Sequence, residues 1–250
     1  MINNFVSKFN KFNVTPGTIP ALLLFASMIS YGLMAPFLGF YQDDWHFIYY
    51  YVTRGDPGII ELAHYDGHPL SAWIYILAFR GLGISPLAWQ LFSIFWRWLA
   101  AVAAWKLLHQ FWPNHLKQTF TATLFFLLYP AFILQPQAIC YSEVWISHAL
   151  LLWSFYYAGR GIQENKFRYH AFGFAIKILH IFTSAYVTGL EFVRLLVIWM
   201  QIPKEQIESF RKKLKTAIWL WLPYLLINLG YVIWRVFLYN SPVDRRADPT

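Results

Sequence analysis

Along the chain, long apolar runs alternate with short polar joints. The runs cover residues 20–39, 86–108, 119–138, 142–159, 169–187, 188–201 and 216–238, and each is bounded by charges, Pro or Gly. Most approach the ~20 residues that a helix needs to cross the hydrocarbon of a bilayer. The run 188–201 is short, and a crossing there calls for little tilt or a distorted bilayer. A further apolar stretch, 68–83, is interrupted by Arg80 and Gly81 and reads as a helix lying in the interface. There is no internal repeat, heptad run or low-complexity tract. The pattern predicts an all-α, polytopic helical bundle of about seven transmembrane helices, with interfacial helices in the first external loop. All 250 residues belong to one transmembrane domain, in which 1–19 form a cytoplasmic N-terminus and 40–85 an external loop.

The charges orient this bundle. With Lys8 and Lys11 in the cytoplasm, the inner segments are the N-terminus and the loops 105–118, 159–170 and 201–216. They hold 12 of the 20 basic residues but only Glu164, Glu205 and Glu208 of the 12 acids. The remaining acids, among them Asp43, Asp44, Asp56, Glu61, Asp66, Glu143 and Glu191, fall on the outer side. If 68–83 crossed the membrane, every later loop would invert and the Lys/Arg bias would vanish.

Composition agrees. Only 13% of residues are charged while 58% are hydrophobic and 21% aromatic, against about 25% charged in soluble chains. Too few charges remain to coat a soluble protein of this length, so lipid supplies the missing surface. The net charge of +8 sits in short loops, where it sets topology; a nucleic-acid partner would need a basic face on a soluble domain. Cys140 is the only cysteine, which excludes an intrachain disulfide and a thiolate zinc site. The first apolar run has no small-residue cleavage site after it and reads as a retained signal-anchor. The polar stretch from Asn240 to Thr250 follows a crossing directly, and a further C-terminal region, or a partner supplying it, is expected.

The candidate chemistry lies in the external loop. Tyr41-Gln42-Asp43-Asp44-Trp45-His46-Phe47 follows the first crossing. Helix capping by Asp43 or Asp44, on a short interfacial helix through Arg54, accounts for one carboxylate but not for the second plus His46. Further on, His64-Tyr65-Asp66-Gly67-His68-Pro69 sets two imidazoles and a carboxylate at alternate positions. His64 fits an interfacial histidine. Asp43, Asp44 and His68 fit a divalent-ion site, with carboxylates favouring magnesium or manganese and imidazole admitting zinc.

Asp43-Asp44-Trp45-His46-Phe47 resembles the Asp-Glu-x-His-Phe signature that opens the first external loop of protein O-mannosyltransferases. Asp66-Gly67-His68-Pro69-Leu70 is similar to the Asp-x-His-Pro-Pro-Leu motif later in that loop. Bacterial GT-C transferases that add aminoarabinose to lipid A share the acidic pair and the loop layout. Here the second acid is Asp44 rather than Glu, and one proline after His68 is missing. The likeness covers the first half of the chain, and the rest only as a hydropathy pattern. It implies a GT-C-type hexosyl- or pentosyltransferase with a polyprenyl- or dolichyl-phosphate sugar as donor and inversion at the anomeric carbon. Asp43 matches the catalytic aspartate, and Glu143 an acidic residue facing it from a later turn. The acceptor hydroxyl would belong to a protein, glycan or lipid. A bacterial inner or plasma membrane is expected in preference to the endoplasmic reticulum.

The chemistry fits independently. Single displacement at a bilayer-edge sugar phosphate needs a carboxylate base to take the acceptor proton, and a cation for the leaving phosphate. Asp43, Asp44 and Glu143 are the candidate catalytic residues, and His46, Asp66, His68, Arg80, Glu191 and Arg194 the candidate substrate-binding ones. Asp43, Asp44 and His68 would hold the metal. Glu191 and Arg194 can pair at i, i+3, Lys177 can snorkel, and Arg97 is deep enough to face the bundle interior. His148 and His180 read as interhelical hydrogen-bonders. Two other classes compete. A metal-dependent membrane hydrolase or phosphotransferase needs more ligands, and a transporter or assembly subunit would carry its ionisable groups near the midplane.

Overall fold

The computed structural model describes residues 14–129, 135–183, 188–203 and 209–239. Among these the chain is all-helical. Helix α1 (Ile19–Ser27) runs on through a π turn (Met28–Gly32) and a 3₁₀ turn (Ala35–Phe37). There follow α2 (Asp44–Tyr65), a 3₁₀ turn (Pro69–Ser71), α3 (Ala72–Leu82), α4 (Pro86–Phe111) and α5 (Leu116–Leu128). The chain continues with α6 (Ala138–Glu164), α7 (Phe167–Ile181), α8 (Glu191–Gln201) and α9 (Phe210–Ile233), which ends in a π turn (Trp234–Leu238).

Among the described residues, three helices are long and apolar enough to cross a membrane: Ile19–Phe37, Pro86–Phe111 and Phe210–Leu238. Their outward faces carry large apolar side chains such as Phe25, Phe37, Trp219, Val236 and Phe237, as a lipid-facing surface requires. Helix α6 has 27 residues, about 40 Å, but Glu143, serines and tyrosines lower its hydropathy. Helix α5 ends at Leu128 within the run 119–138, and α7 ends at Ile181 within the run 169–187; residues 130–134 and 184–187 of these runs fall outside the described residues. Lys204, which lies in the loop 201–216, and Pro130 within the run 119–138 fall outside the described residues, as do Lys8 and Lys11.

The centre of the bundle is the α4–α6 pair. Ala100 on α4 packs with Ala149 and Trp145 on α6, while its neighbour Ala101 faces Ile19, Leu23 and Leu127 of α1 and α5. Small residues at the contact let backbones approach closely where no hydrophobic drive separates helix from lipid. Arg97 faces inward from α4. Its Nε donates to Leu127 O at 3.0 Å and its Nη1 to Gln135 Oε1 at 3.2 Å, and the guanidinium carbon lies 3.8 Å from the Tyr31 ring centre. The buried cation thereby satisfies a carbonyl that the end of α5 leaves without an intrahelical partner.

The segment between α1 and α4 forms a cap of short helices over one end of this pair. Asp44–Tyr65 is two helical pieces broken at Gly55, whose φ of 63° is open to glycine but strained for other residues. The predicted helix through Arg54 is the first piece, and an Arg54–Glu61 ion pair bridges the break. Tyr51 stacks on Phe79 at 4.3 Å and Phe79 meets Trp89 at 4.9 Å, fixing α2 and α3 on the start of α4. From the far end of the chain, Tyr239 Oη lies 3.2 Å from both Nδ1 and the carbonyl O of His64. The end of α9 is thus tied to the same cap.

Candidate functional site

Under the cap lies a cavity of about 800 Å³. Asp43 and His46 line it from the start of α2, Asp66 and His68 from the joint between α2 and α3, Tyr75 from α3, and Cys140, Tyr141 and Glu143 from the first turns of α6. Five residues singled out in the sequence, Asp43, His46, Asp66, His68 and Glu143, therefore face one space. They come from segments up to 100 positions apart in the chain.

Asp43 stands at the N-cap position of α2, yet its side chain makes no capping bond. Its carboxylate is 61% exposed and lies 3.9 Å from His46 Nδ1, so both groups are open to the cavity. Glu143 projects from the second turn of α6 and accepts a 2.9 Å hydrogen bond from Tyr75 Oη. That bond fixes the carboxylate on the cavity wall, and Tyr75 is itself held by Phe47, 4.4 Å away between ring centres.

Asp44 points the opposite way. Its Oδ1 accepts from the backbone N–H groups of Ile139 and Cys140, each at 3.0 Å, and the residue is fully buried. Those N–H groups belong to the first turn of α6, so Asp44 is the cap of a helix that begins 94 residues later. A buried carboxylate at a helix N-terminus gains from the dipole and the orphan donors. Desolvation outweighs those gains and raises its pKa to about 6.

The other sequence candidates lie elsewhere. Arg80 pairs with Asp56 on the outside of the cap. Glu191 and Arg194 belong to a buried cluster between α6, α7, α8 and α9. Arg194 grips Glu191 with two bonds of 2.5 and 3.1 Å and donates to Ser154 Oγ at 2.9 Å. Lys177 lies 3.0 Å from Glu191 Oε2 and donates to Asn228 Oδ1 at 2.9 Å. Lys177 is fully buried and does not snorkel, because Glu191 and Asn228 receive its ammonium inside the bundle. His180 bonds across helices to Ser147 Oγ at 3.2 Å, whereas His148 bonds within its own helix to Val144 O at 2.7 Å.

The divalent-ion set foreseen at Asp43, Asp44 and His68 does not fit this arrangement. Asp44 turns its carboxylate into the backbone of α6, and among the described residues no three His, Cys, Asp or Glu side chains stand together as a metal cage. A cation outside the cavity lining acts on one of its residues; Arg235, whose guanidinium packs over Tyr239 at 4.7 Å, bears on His68. Burial first, and the charge of Arg235 second, push the His68 pKa below its ordinary value. Arg235, in the π turn at the end of α9, is therefore within electrostatic range of the cavity wall. In the sequence it counts only as one more charge inside a crossing. Its position near the outer end of the last apolar run, level with the external loop, is the signal that could have marked it. Tyr75 and Tyr141 had no such signal among 16 tyrosines.

No family model matches the chain, and no curated protein or solved structure matches it.

Proposed function

We propose that this protein is a multi-pass membrane glycosyltransferase. It moves a sugar from a lipid-phosphate donor to an acceptor hydroxyl at the extracytoplasmic surface, by one inverting displacement. The observation that carries the reading is the convergence of Asp43, His46, Asp66, His68 and Glu143 on one cavity under the cap. The motif likeness of Asp43–Phe47 and Asp66–Leu70 supports it separately. In this reading α1, α4 and α9 cross the bilayer as long helices. Helices α5 to α8 complete seven crossings against them.

The acceptor oxygen attacks the anomeric carbon while Asp43 takes its proton. The bond from the anomeric carbon to the phosphate oxygen breaks, and lipid phosphate leaves with the electron pair. A general base of this kind contributes about 10²–10⁴-fold. Glu143, fixed by Tyr75, and the Asp66–His68 wall bind sugar hydroxyls. Arg235, whose charge acts on His68 at the cavity wall, balances the charge of the departing phosphate, a role that guanidinium fills well.

The test is turnover by the purified full chain in proteoliposomes, with a panel of polyprenyl-phosphate sugars as donors. Acceptor-dependent release of lipid phosphate is expected from at least one. Failure of every donor both to turn over and to bind would contradict the reading.

A further inference from the structure

A second cavity, of about 660 Å³, opens at the other end of the bundle. Along α6, Glu143 in the first cavity and Tyr156 in the second are 13 positions apart, about 20 Å of helix. The second cavity lies between Pro20 at the start of α1, Trp105, Lys106 and His109 near the end of α4, and Tyr156 and Gln163 on α6.

Its chemistry is that of an anion receptor. The Lys106 ammonium sits 5.7 Å from the Trp105 ring centre and 5.6 Å from that of Tyr156. Among the described residues it has no carboxylate partner. Among the described residues the acid at this end, Glu164, is taken by Arg160 at 2.5 Å and Lys166 at 2.8 Å. Arg160 also donates to Tyr156 Oη at 3.0 Å, which holds a second cation beside the same ring. Among the described residues this end therefore carries more positive charge than Glu164 can balance.

Two ring nitrogens strengthen the case. Trp105 is only 4% exposed, and its Nε1 has no hydrogen-bond partner; His109 Nδ1 is likewise buried without one. The two rings stack at 5.6 Å with 15° between planes, and both residues line the cavity, with the two nitrogens buried just behind its surface. A buried indole N–H left unbonded costs free energy that a bound acceptor recovers. A cation, an indole N–H and an imidazole suit the tetrahedral oxygens of a phosphate group.

We infer that this cavity binds a phosphate group, carried either by the headgroup of an anionic phospholipid or by free phosphate. Binding here, remote from the first cavity, is independent of the transferase reading.

The full chain in neutral detergent is titrated with short-chain phosphatidic acid, short-chain phosphatidylcholine and inorganic phosphate, and occupancy is read by native mass spectrometry. Phosphatidic acid is expected to bind one per chain, with phosphatidylcholine much weaker. Lys106→Gln should weaken binding about tenfold, and Trp105→Phe, which keeps the ring but removes the N–H, about threefold. Lys106→Arg should retain binding. Lys213→Gln, whose ammonium packs on Trp199 instead, should leave it unchanged. Competition by inorganic phosphate identifies free phosphate as a ligand, whereas lipid binding without such competition identifies the headgroup. The inference is overturned if neither ligand binds, if phosphatidylcholine binds as well as phosphatidic acid, or if Lys106→Gln matches the wild type. Should Lys106→Gln not fold, Trp105→Phe decides, and unchanged affinity there overturns the inference.

Discussion

Adjacent aspartates with opposite surroundings do different work. Asp43 opens to the cavity, while Asp44 holds the first turn of α6 through Ile139 and Cys140. Asp44→Asn keeps an acceptor oxygen for those N–H groups and removes a buried charge, so unfolding at neutral pH should shift little or move upward. Asp44→Ala leaves the two donors unpaired and should cost about 1–2 kcal/mol. The pH dependence has a definite sign. The folded-state value of about 6 lies above the ordinary 3.8, so the contribution of Asp44 to stability is full below 3.8 and is lost as pH rises through about 6. The stability of Asp44→Asn relative to wild type should therefore grow from pH 4 to about 6 and then level off; a flat difference across that range would contradict the burial argument. The sequence makes the pair conspicuous but not its division of labour. That depends on the left-handed turn at Gln42, with φ 44°, and on a helix start 94 residues away.

At the scale of elements, the α7–α8–α9 cluster shows what local spacing reveals and what it hides. Glu191 and Arg194 are three apart on one helix, and their pairing is legible from that alone. Lys177 lies on another helix, so neither its burial nor its bonds to Glu191 and Asn228 can be read from spacing. Two buried cations share one carboxylate. Glu191→Gln should accordingly destabilise the protein by about 3–5 kcal/mol, and Lys177→Met added to it should restore part of the loss. Thermal unfolding of the two variants in one detergent checks this, and additive losses would contradict a shared site. The breaks at Tyr129 and Phe182 were equally hidden, since hydropathy runs on through both positions while the helices end just before them.

For the whole molecule, the apolar pattern yielded the helical class and the three long apolar helices. The two external motifs yielded the acidic and imidazole groups that α2 and the joint after it bring to the cavity wall. The cation near it came from the opposite end of the chain and was missed, because only the fold brings α9 beside His68. With Arg235 in that role, Arg235→Gln should raise the apparent KM for the donor about tenfold or more. Excess chelator should leave the rate unchanged; a rate abolished by chelator and restored by manganese would return the phosphate to a metal. The proposed orientation puts Lys212 in the cytoplasm and Tyr49 outside. In a Cys140→Ala background and sealed cells, an impermeant thiol reagent should reach Tyr49→Cys but not Lys212→Cys, and labelling of both would rule out that orientation. The most direct test of the transferase reading is sugar transfer by Asp43→Asn in membranes, measured together with donor binding. The account predicts unchanged donor binding and a rate reduced by about 10²–10⁴-fold. Near-wild-type transfer with donor still bound would remove Asp43 as the base and contradict the account at its centre.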